Sequence, residues 1–190
     1  MANEPIRILA LNLGSKYIGF AALAGGELRD WGVKVIPGRW SPEKAERARA
    51  LVASLIDQYE PAILAMKRLN PSRSSSELRR FVARVRNLAR RRGLKVRRYS
   101  LQELEDALSP ERRVNRRQMA EIVALDYPFL LFELEREKSH KHGYHIRMFE
   151  AVALADVCFR QADNQYRRWT KLFERRPSTT TCQKRTRNGY

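Results

Sequence analysis

The chain has 190 residues, of which 38 are basic and 21 acidic, so its formal net charge at pH 7 is +17. This length is enough for one domain with a substantial core, and a hydrophobic fraction of 43% excludes wholesale disorder. The arginine-rich positive charge favours a polyanionic partner, because one guanidinium group can hold two phosphate oxygens. Nucleic acid is the leading candidate and an anionic membrane surface is second. A place in an RNA-rich assembly would give the same composition.

The cellular location is predicted from the cysteines and from the absence of export signals. Cys158 and Cys182 are expected to be reduced thiols of an intracellular protein rather than a disulfide framework. We expect no secretory signal, and no apolar run reaches the roughly 18 residues that a membrane span requires. The sequence therefore predicts a cytoplasmic protein without a membrane partner, associated with the nucleoid or with a ribonucleoprotein.

The chain begins with three strand-like apolar runs, at residues 7–13, 17–23 and 28–36. Gly14-Ser15 separates the first two runs and Gly25-Gly26 the second two, which is typical of an antiparallel meander. Ser41-Pro42-Glu43 then predicts a helix N-terminus, with a capping hydroxyl, a proline in the first turn and an acid at the positive end of the helix dipole. Pro61 ends this helix, and the apolar residues 62–66 predict a buried parallel strand.

The second half of the chain is predicted to be mainly helical. A second helix starts at Ser74, with Ser74 and Glu77 at capping-box spacing, and ends at Gly93. A fifth strand is predicted at residues 95–99. Three helices follow, at residues 101–108, 114–126 and 147–162. This order predicts an α/β fold over residues 1–162, with a mixed five-stranded sheet whose first three strands are antiparallel. Residues 163–190 are predicted to form a basic C-terminal tail.

Basic side chains concentrate on the second helix, where seven arginines occur with a single acid. Charge runs are usually solvated faces, but one of a single sign repels itself and favours an anionic partner. The loop before the helix is either a flexible polar connection or an additional set of phosphate contacts. The predicted nucleic-acid-binding residues are Ser15, Lys16, Arg68, Arg73, Arg79, Arg80, Arg84, Arg86, Arg90, Arg91, Arg92, Arg167 and Arg168.

Two motifs carry a resemblance to a known family, Ile8-Leu-Ala-Leu-Asn-Leu-Gly-Ser15 and Phe149-Glu-Ala-Val-Ala-Leu-Ala155. Together with the order of elements, they resemble the RuvC-like branch of the RNase H-like superfamily, which includes Holliday-junction resolvases. The resemblance covers approximately residues 6–162. It implies an RNase H-like fold and endonuclease chemistry in which carboxylates hold two Mg²⁺ ions about 4 Å apart.

The resemblance also implies where the acidic residues of the family fall in this chain. The first-strand aspartate falls on Asn12, the fourth-strand glutamate on Lys67 and the last-helix aspartate on Glu150. A further acid, one helical turn earlier, falls on Arg147. If the register of the fourth strand shifts by one residue, Met66 takes the place of Lys67. Because only Glu150 is acidic, we expect Lys67 to pair with it in place of a metal, with Asn12 hydrogen-bonded across the pair.

Three functions follow, and the leading one is a nucleic-acid-binding subunit with a degenerate site and no cofactor. Its partners would be DNA or RNA, with a homodimer or a larger nucleoprotein complex as the assembly. The second is an active endonuclease that holds Mg²⁺ through Glu150 and uses His145 as general base. His145 belongs to a cluster with His140 and His142 that is otherwise interpreted as a solvated loop. The third is a protein-interaction module in an RNA-rich assembly.

Overall fold

A computed structural model describes residues 4–139 and 144–174, with side chains described as far as residue 165. The described elements are β1 (Arg7–Leu13), β2 (Tyr17–Ala24), β3 (Glu27–Val35), α1 (Pro42–Tyr59), β4 (Ile63–Lys67), α2 (Ser76–Arg91), β5 (Lys95–Tyr99), α3 (Leu101–Leu108), α4 (Arg116–Asp126), α5 (Leu131–Ser139) and α6 (Ile146–Glu174). Short 3₁₀ turns at Pro71–Arg73 and Pro128–Leu130 precede α2 and α5. None of the helices described here is long and apolar enough to cross a membrane.

The five strands form one mixed sheet in the order β3-β2-β1-β4-β5. β1, β2 and β3 pair antiparallel, whereas β4 pairs parallel with both β1 and β5. The predicted mixed five-stranded sheet, with its first three strands antiparallel, is therefore confirmed. Because β1 and β4 are parallel and central, their carboxyl ends lie side by side at one edge of the sheet.

The alternation of side chains along β1 divides the core into two layers. Ile8 and Ala10 point to one face, where α6 and α4 cover the sheet, and Leu9 and Leu11 point to the other, where α1 and α2 cover it. Gly19 on β2 allows α6 to come close, because a methyl group there would overlap the carbonyl group of Arg147. The sheet therefore fixes the N-terminal end of α6 against β2.

The predicted helix starts were correct for α1 and shifted for two others. The Ser41 hydroxyl accepts a hydrogen bond from the backbone N–H of Lys44 (3.1 Å), as a helix cap requires. The predicted cap at Ser74 was wrong: Ser75 caps α2 by accepting from the N–H of Leu78, since the preceding 3₁₀ turn extends the loop. α4 starts after the cap residue Asn115 rather than at residue 114.

The last part of the fold departs most from the sequence-based expectation. α5 was not predicted, and α6 continues to Glu174, past the expected end at residue 162. The predicted boundary between a domain and a tail therefore falls within α6, and the division itself stays a prediction. His140 and His142 lie outside the described residues, as do the side chains of Arg167 and Arg168.

Candidate functional site at the carboxyl ends of β1 and β4

A cluster of polar side chains forms where the ends of the two central parallel strands meet α6. Leu11 of β1 is paired with Met66 of β4, so the next residues, Asn12 and Lys67, lie side by side. Glu150 lies one turn into α6 and is 2% exposed. The sheet register and the close approach of α6 together bring these three residues to one point.

The carboxylate of Glu150 accepts from both sequence-predicted neighbours. Lys67 Nζ donates to Glu150 Oε2 at 2.6 Å, and Asn12 Nδ2 donates to the same oxygen at 2.5 Å. The predicted pairing of Lys67 with Glu150, with Asn12 across it, is therefore confirmed. Asn12 Nδ2 also lies 3.5 Å from the carbonyl oxygen of Arg147, which ties the end of β1 to the first turn of α6.

A third partner of Glu150, Arg116, was not predicted from the sequence. Its Nε lies 3.1 Å from Glu150 Oε1 although the arginine side chain is 57% exposed. Arg116 is the first residue of α4, and the Asn115 cap fixes where that helix begins. Only the arginine-rich composition of the segment Arg112 to Arg117 could have indicated a cation here, and nothing in it indicates the contact with Glu150.

Arg147 is the fifth polar residue of the cluster, and its guanidinium group packs on the turn between β1 and β2. A methyl group on Gly14 would lie 2.7 Å from Arg147 Nη1, so only glycine leaves room for this packing. Burial lowers the pKa of Arg147, the charge of Glu150 opposes that effect, and the charge of Arg116 adds to it. Arg147 is therefore a partly desolvated cation near a carboxylate that three other side chains already contact.

The electrostatic balance of the cluster is positive. Three cations, Lys67, Arg116 and Arg147, surround the one carboxylate of Glu150. The pKa of Lys67 is lowered because burial outweighs the attraction of Glu150, and the two arginines lower it further. The cluster around Glu150 therefore carries an excess of positive charge.

The arrangement of this sheet and these helices is similar to that of several solved resolvase structures. The chain is similar to Thermus thermophilus RuvC in complex with a Holliday junction (TM-score 0.60, 16% identity, 83% of this chain and 96% of that one). It is also similar to the yeast mitochondrial Holliday junction resolvase (TM-score 0.62, 17% identity, 88% and 84%). The fowlpox virus resolvase with its junction DNA gives a TM-score of 0.53 at 10% identity, over 82% and 98% of the two chains.

The chain has a RuvC-like fold. The sequence matches no family model and no curated protein, so the likeness is one of three-dimensional structure. The sequence-based expectation of an RNase H-like fold of the RuvC branch is confirmed on this ground.

The side chains present do not fit the two Mg²⁺ ions that the RuvC-like fold implies. Mg²⁺ prefers several hard oxygen ligands, mostly carboxylates and water, in near-octahedral geometry. Glu150 is the only carboxylate of the cluster, and within the described ranges no group of three or more His, Cys, Asp or Glu side chains could hold a metal ion. A cation at Glu150 would meet the Lys67 ammonium at Oε2 and Arg116 Nε 3.1 Å from Oε1.

His145 occupies a structural position at the start of α6. It is 8% exposed, and its carbonyl oxygen accepts from the N–H groups of Met148 and Phe149. Its own N–H donates to Glu137 Oε2 at 2.6 Å, and its ring packs edge-on against Tyr144. These contacts join α5 to α6, and the proposed role of His145 as a general base stays a prediction.

The arginines of α2 lie on the side of the sheet opposite α6, and most are exposed. Helix α2 connects the parallel strands β4 and β5, so it starts near the carboxyl end of β4 and runs antiparallel to that strand. Arg79 and Arg80, in the first turns of α2, therefore lie near the end of β4 that carries Lys67. Two of the predicted binding residues are paired with acids: Arg92 forms an ion pair with Asp57, and Arg68 Nη2 lies 3.7 Å from Glu103 Oε2. Ser15 and Lys16 are exposed on the turn between β1 and β2.

Proposed function

We propose that this RuvC-like protein binds nucleic acid by charge and shape, and that its former metal site is catalytically degenerate. The observation that carries the proposal is the hydrogen bond from Lys67 Nζ to Glu150 Oε2. Through it, an ammonium group binds the only carboxylate of the site, where the family would bind a metal ion. The protein would then act as an architectural subunit rather than as an endonuclease.

The chemistry of the donor set supports the loss of hydrolysis. Two-metal hydrolysis requires ions that activate a water and stabilise the leaving oxygen, and carboxylates must hold those ions. Here Asn12 offers a neutral amide, and its Nδ2 already donates to Glu150. Lys67 and Arg147 add positive charge at the other two positions where the family carries acids.

The charge distribution supports nucleic acid as the partner. A net charge of +17 and the exposed arginines of α2 provide the electrostatic footprint that phosphate backbones require. Two of the similar structures contain Holliday junction DNA, which supports branched DNA as the first probe to test. An RNA partner, as in the interaction-module hypothesis, is tested in the same assay.

Fluorescence anisotropy with a four-way DNA junction, a matched DNA duplex and a matched RNA duplex tests the proposal. We expect affinity to fall steeply with KCl, by about a thousandfold over a fourfold rise in salt for about six phosphate contacts. Binding should not require Mg²⁺, and affinity in EDTA should be at least as high as in Mg²⁺ at the same KCl, because Mg²⁺ only competes with the protein for the phosphates. A gel assay on the same junction, in Mg²⁺ and in Mn²⁺, should show no cleavage.

Matched charge variants locate the binding face. Arg79→Gln with Arg80→Gln should weaken binding to all probes, whereas Arg7→Gln with Arg29→Gln should not, although both pairs remove two charges. Arg7 and Arg29 lie at the opposite end of the sheet and pair with Glu60 and Glu27. Metal-dependent cleavage of the junction that Glu150→Ala abolishes would establish the endonuclease alternative instead.

We also propose that the chain forms the homodimer expected from the sequence, because it has an exposed apolar surface that supports self-association. Leu125 and Phe132 are 75% and 67% exposed, and Phe129 lies between them along the chain at 52%. The adjoining helix α5 carries three acids and two bases, so two copies of this strongly basic chain repel each other least here. Sedimentation velocity should therefore detect a homodimer that Phe132→Ser dissociates. If the chain stays monomeric at all concentrations, these side chains do not mediate self-association and are available to a different partner.

A further inference from the structure

Arg147 is a partly buried cation, and the described part of the chain offers it no ion-pair partner within 4 Å. Lys67 and Arg116 each contact Glu150 within 4 Å, but among the described residues no carboxylate lies that close to the Arg147 guanidinium. Burial lowers the pKa of Arg147, the charge of Glu150 opposes that effect, and Arg116 adds to it. A desolvated charge without a close counter-charge costs free energy, so this arrangement calls for an anion that is not part of the protein.

The fold holds the Arg147 guanidinium group at one specific position beside Gly14, called its seat below. Its guanidinium packs where a methyl group on Gly14 would lie 2.7 Å from Nη1 and 2.8 Å from the Tyr17 carbonyl oxygen. The seat adjoins Ser15 and Lys16, which are exposed on the same turn. The side chain is therefore held, half-buried, beside the exposed residues of this turn.

The charge of Glu150 does not cancel the attraction for an anion. Its Oε2 accepts from Lys67 and Asn12, and its Oε1 faces Arg116 Nε. Oε1 lies within ion-pair distance of Arg116 Nε but is buried without a hydrogen-bond partner among the described residues, and one negative charge stands against three positive ones. Glu150 positions Lys67 and Arg116, while Arg147 and the remaining N–H groups of Arg116 supply donors for a ligand.

We propose that Lys67, Arg116 and Arg147 form a metal-free binding pocket for a single phosphate group of a nucleic-acid backbone. The arginines would hold phosphate oxygens through charge-assisted hydrogen bonds, and the ammonium would add a point charge. The inference rests on the proposed function for the source of the phosphate, but not for the existence of the pocket. The pocket replaces metal-mediated contact with direct contact at the same edge of the sheet.

The existence of the pocket is tested with inorganic phosphate alone. The ¹⁵N-labelled full chain is titrated with phosphate in EDTA, with chloride at matched ionic strength as the control salt. We expect saturable shifts of the Gly14 and Ser15 amide signals and of the Nε signals of Arg116 and Arg147. Arg147→Gln should abolish saturation, and Arg29→Gln should leave it unchanged. Linear, unsaturable shifts identical in chloride would overturn the pocket.

The source of the phosphate is tested with nucleic acid. Arg147→Gln should weaken binding of the four-way junction about tenfold and reduce the slope of log affinity against log salt by about 1. Arg147→Lys should recover part of the affinity, because it keeps the charge and loses the fork. Arg116→Gln is a second variant that alters an exposed side chain, and thermal melting confirms that each variant is folded.

The outcomes separate this inference from the proposed function. If Arg147→Gln and Arg116→Gln bind the junction as tightly as Arg29→Gln while the α2 variants lose affinity, nucleic-acid binding stands and the phosphate pocket falls. If the wild-type chain binds no nucleic acid, the proposed function falls. A saturable phosphate response would then keep the pocket and reject its assignment to a nucleic-acid backbone.

Discussion

Lys67 Nζ lies 2.6 Å from Glu150 Oε2 and joins the end of β4 to the first turns of α6. The side chains are 13% and 2% exposed, so water screens the pair poorly. Buried ion pairs contribute little compared with apolar replacements, yet removing one partner leaves an uncompensated charge. This pair therefore makes the two side chains strongly interdependent.

Glu150→Gln should destabilise the protein by about 3 kcal/mol, because it leaves three cations around a neutral amide. Adding Lys67→Met should recover part of this loss, since it removes one of the stranded charges. The free energy of unfolding from urea denaturation, measured for both single variants and the double variant, gives the coupling energy. We expect a coupling of about 1 kcal/mol or more.

The exposed ion pair of Lys138 with Glu135 is the matched control for this cycle. Its side chains are 53% and 67% exposed, and the two residues are three apart on α5. Such pairs contribute roughly 0.5 kcal/mol or less. A coupling at Lys67 and Glu150 no larger than at this surface pair would contradict the account of a buried, interdependent pair.

Gly19→Ala should destabilise the protein more than Gly14→Ala. The added methyl group at Gly19 would overlap the backbone of α6 at Arg147, which cannot move without shifting the helix, whereas at Gly14 the closest atom belongs to a side chain. We expect about 1–3 kcal/mol for Gly14→Ala, the usual cost of overpacking. Thermal and urea denaturation measure both, and the reverse order would refute the proposed approach of α6 to β2.

Asp156 on α6 should make stability depend on pH in the acidic range. Burial raises the pKa of Asp156 above 3.8, although Arg160 Nη2, 2.7 Å from Oδ2, opposes the shift. Between 3.8 and the raised value, the folded protein binds more protons than the unfolded chain, so stability falls as pH rises through this window.

Asp156→Asn removes this titration and should remove the corresponding slope. The measured quantity is the difference in unfolding free energy between wild type and variant, taken at a series of acidic pH values. We expect the wild type to lose stability relative to the variant as pH increases. A difference that is constant with pH would show that Asp156 titrates alike in the folded and unfolded states.

Restoring acids should create a metal site that the wild type lacks. Asn12→Asp with Lys67→Glu places three carboxylates at one point and removes the ammonium that blocks Glu150. Isothermal titration with Mg²⁺ and Mn²⁺ should then detect saturable binding in the double variant and none in the wild type. Because Arg116 and Arg147 remain, affinity should increase further when Arg147→Asp is added. Equal metal binding by wild type and variants would contradict the degenerate site.

The sheet could be predicted well because its signals are local. The bounds of β1 and β5 match the prediction: β1 is an apolar run that ends before Gly14-Ser15, and β5 lies between Gly93 and Ser100. α5 was missed because Leu131 and Phe132 are both exposed, so its apolar residues do not form a buried stripe with a helical period.

The site could be predicted only in part, because its contacts depend on tertiary placement. The order of elements brings Asn12, Lys67 and Glu150 together, and the resemblance to RuvC-like proteins indicated these positions. Arg116 reaches Glu150 only because α4 packs on α6. The seat of Arg147 on Gly14 likewise depends on how closely α6 approaches β2, which no sequence period encodes.

The central claim is that the chain binds nucleic acid through positive charge and without a metal-dependent reaction. The most direct measurement follows one fluorescent four-way junction with the full chain, reading anisotropy and strand integrity in the same samples, in EDTA and in Mg²⁺. The account predicts affinity in EDTA at least as high as in Mg²⁺, a steep decrease of affinity with salt and intact strands throughout. Strand cleavage that requires Mg²⁺ and disappears in Glu150→Ala would contradict it.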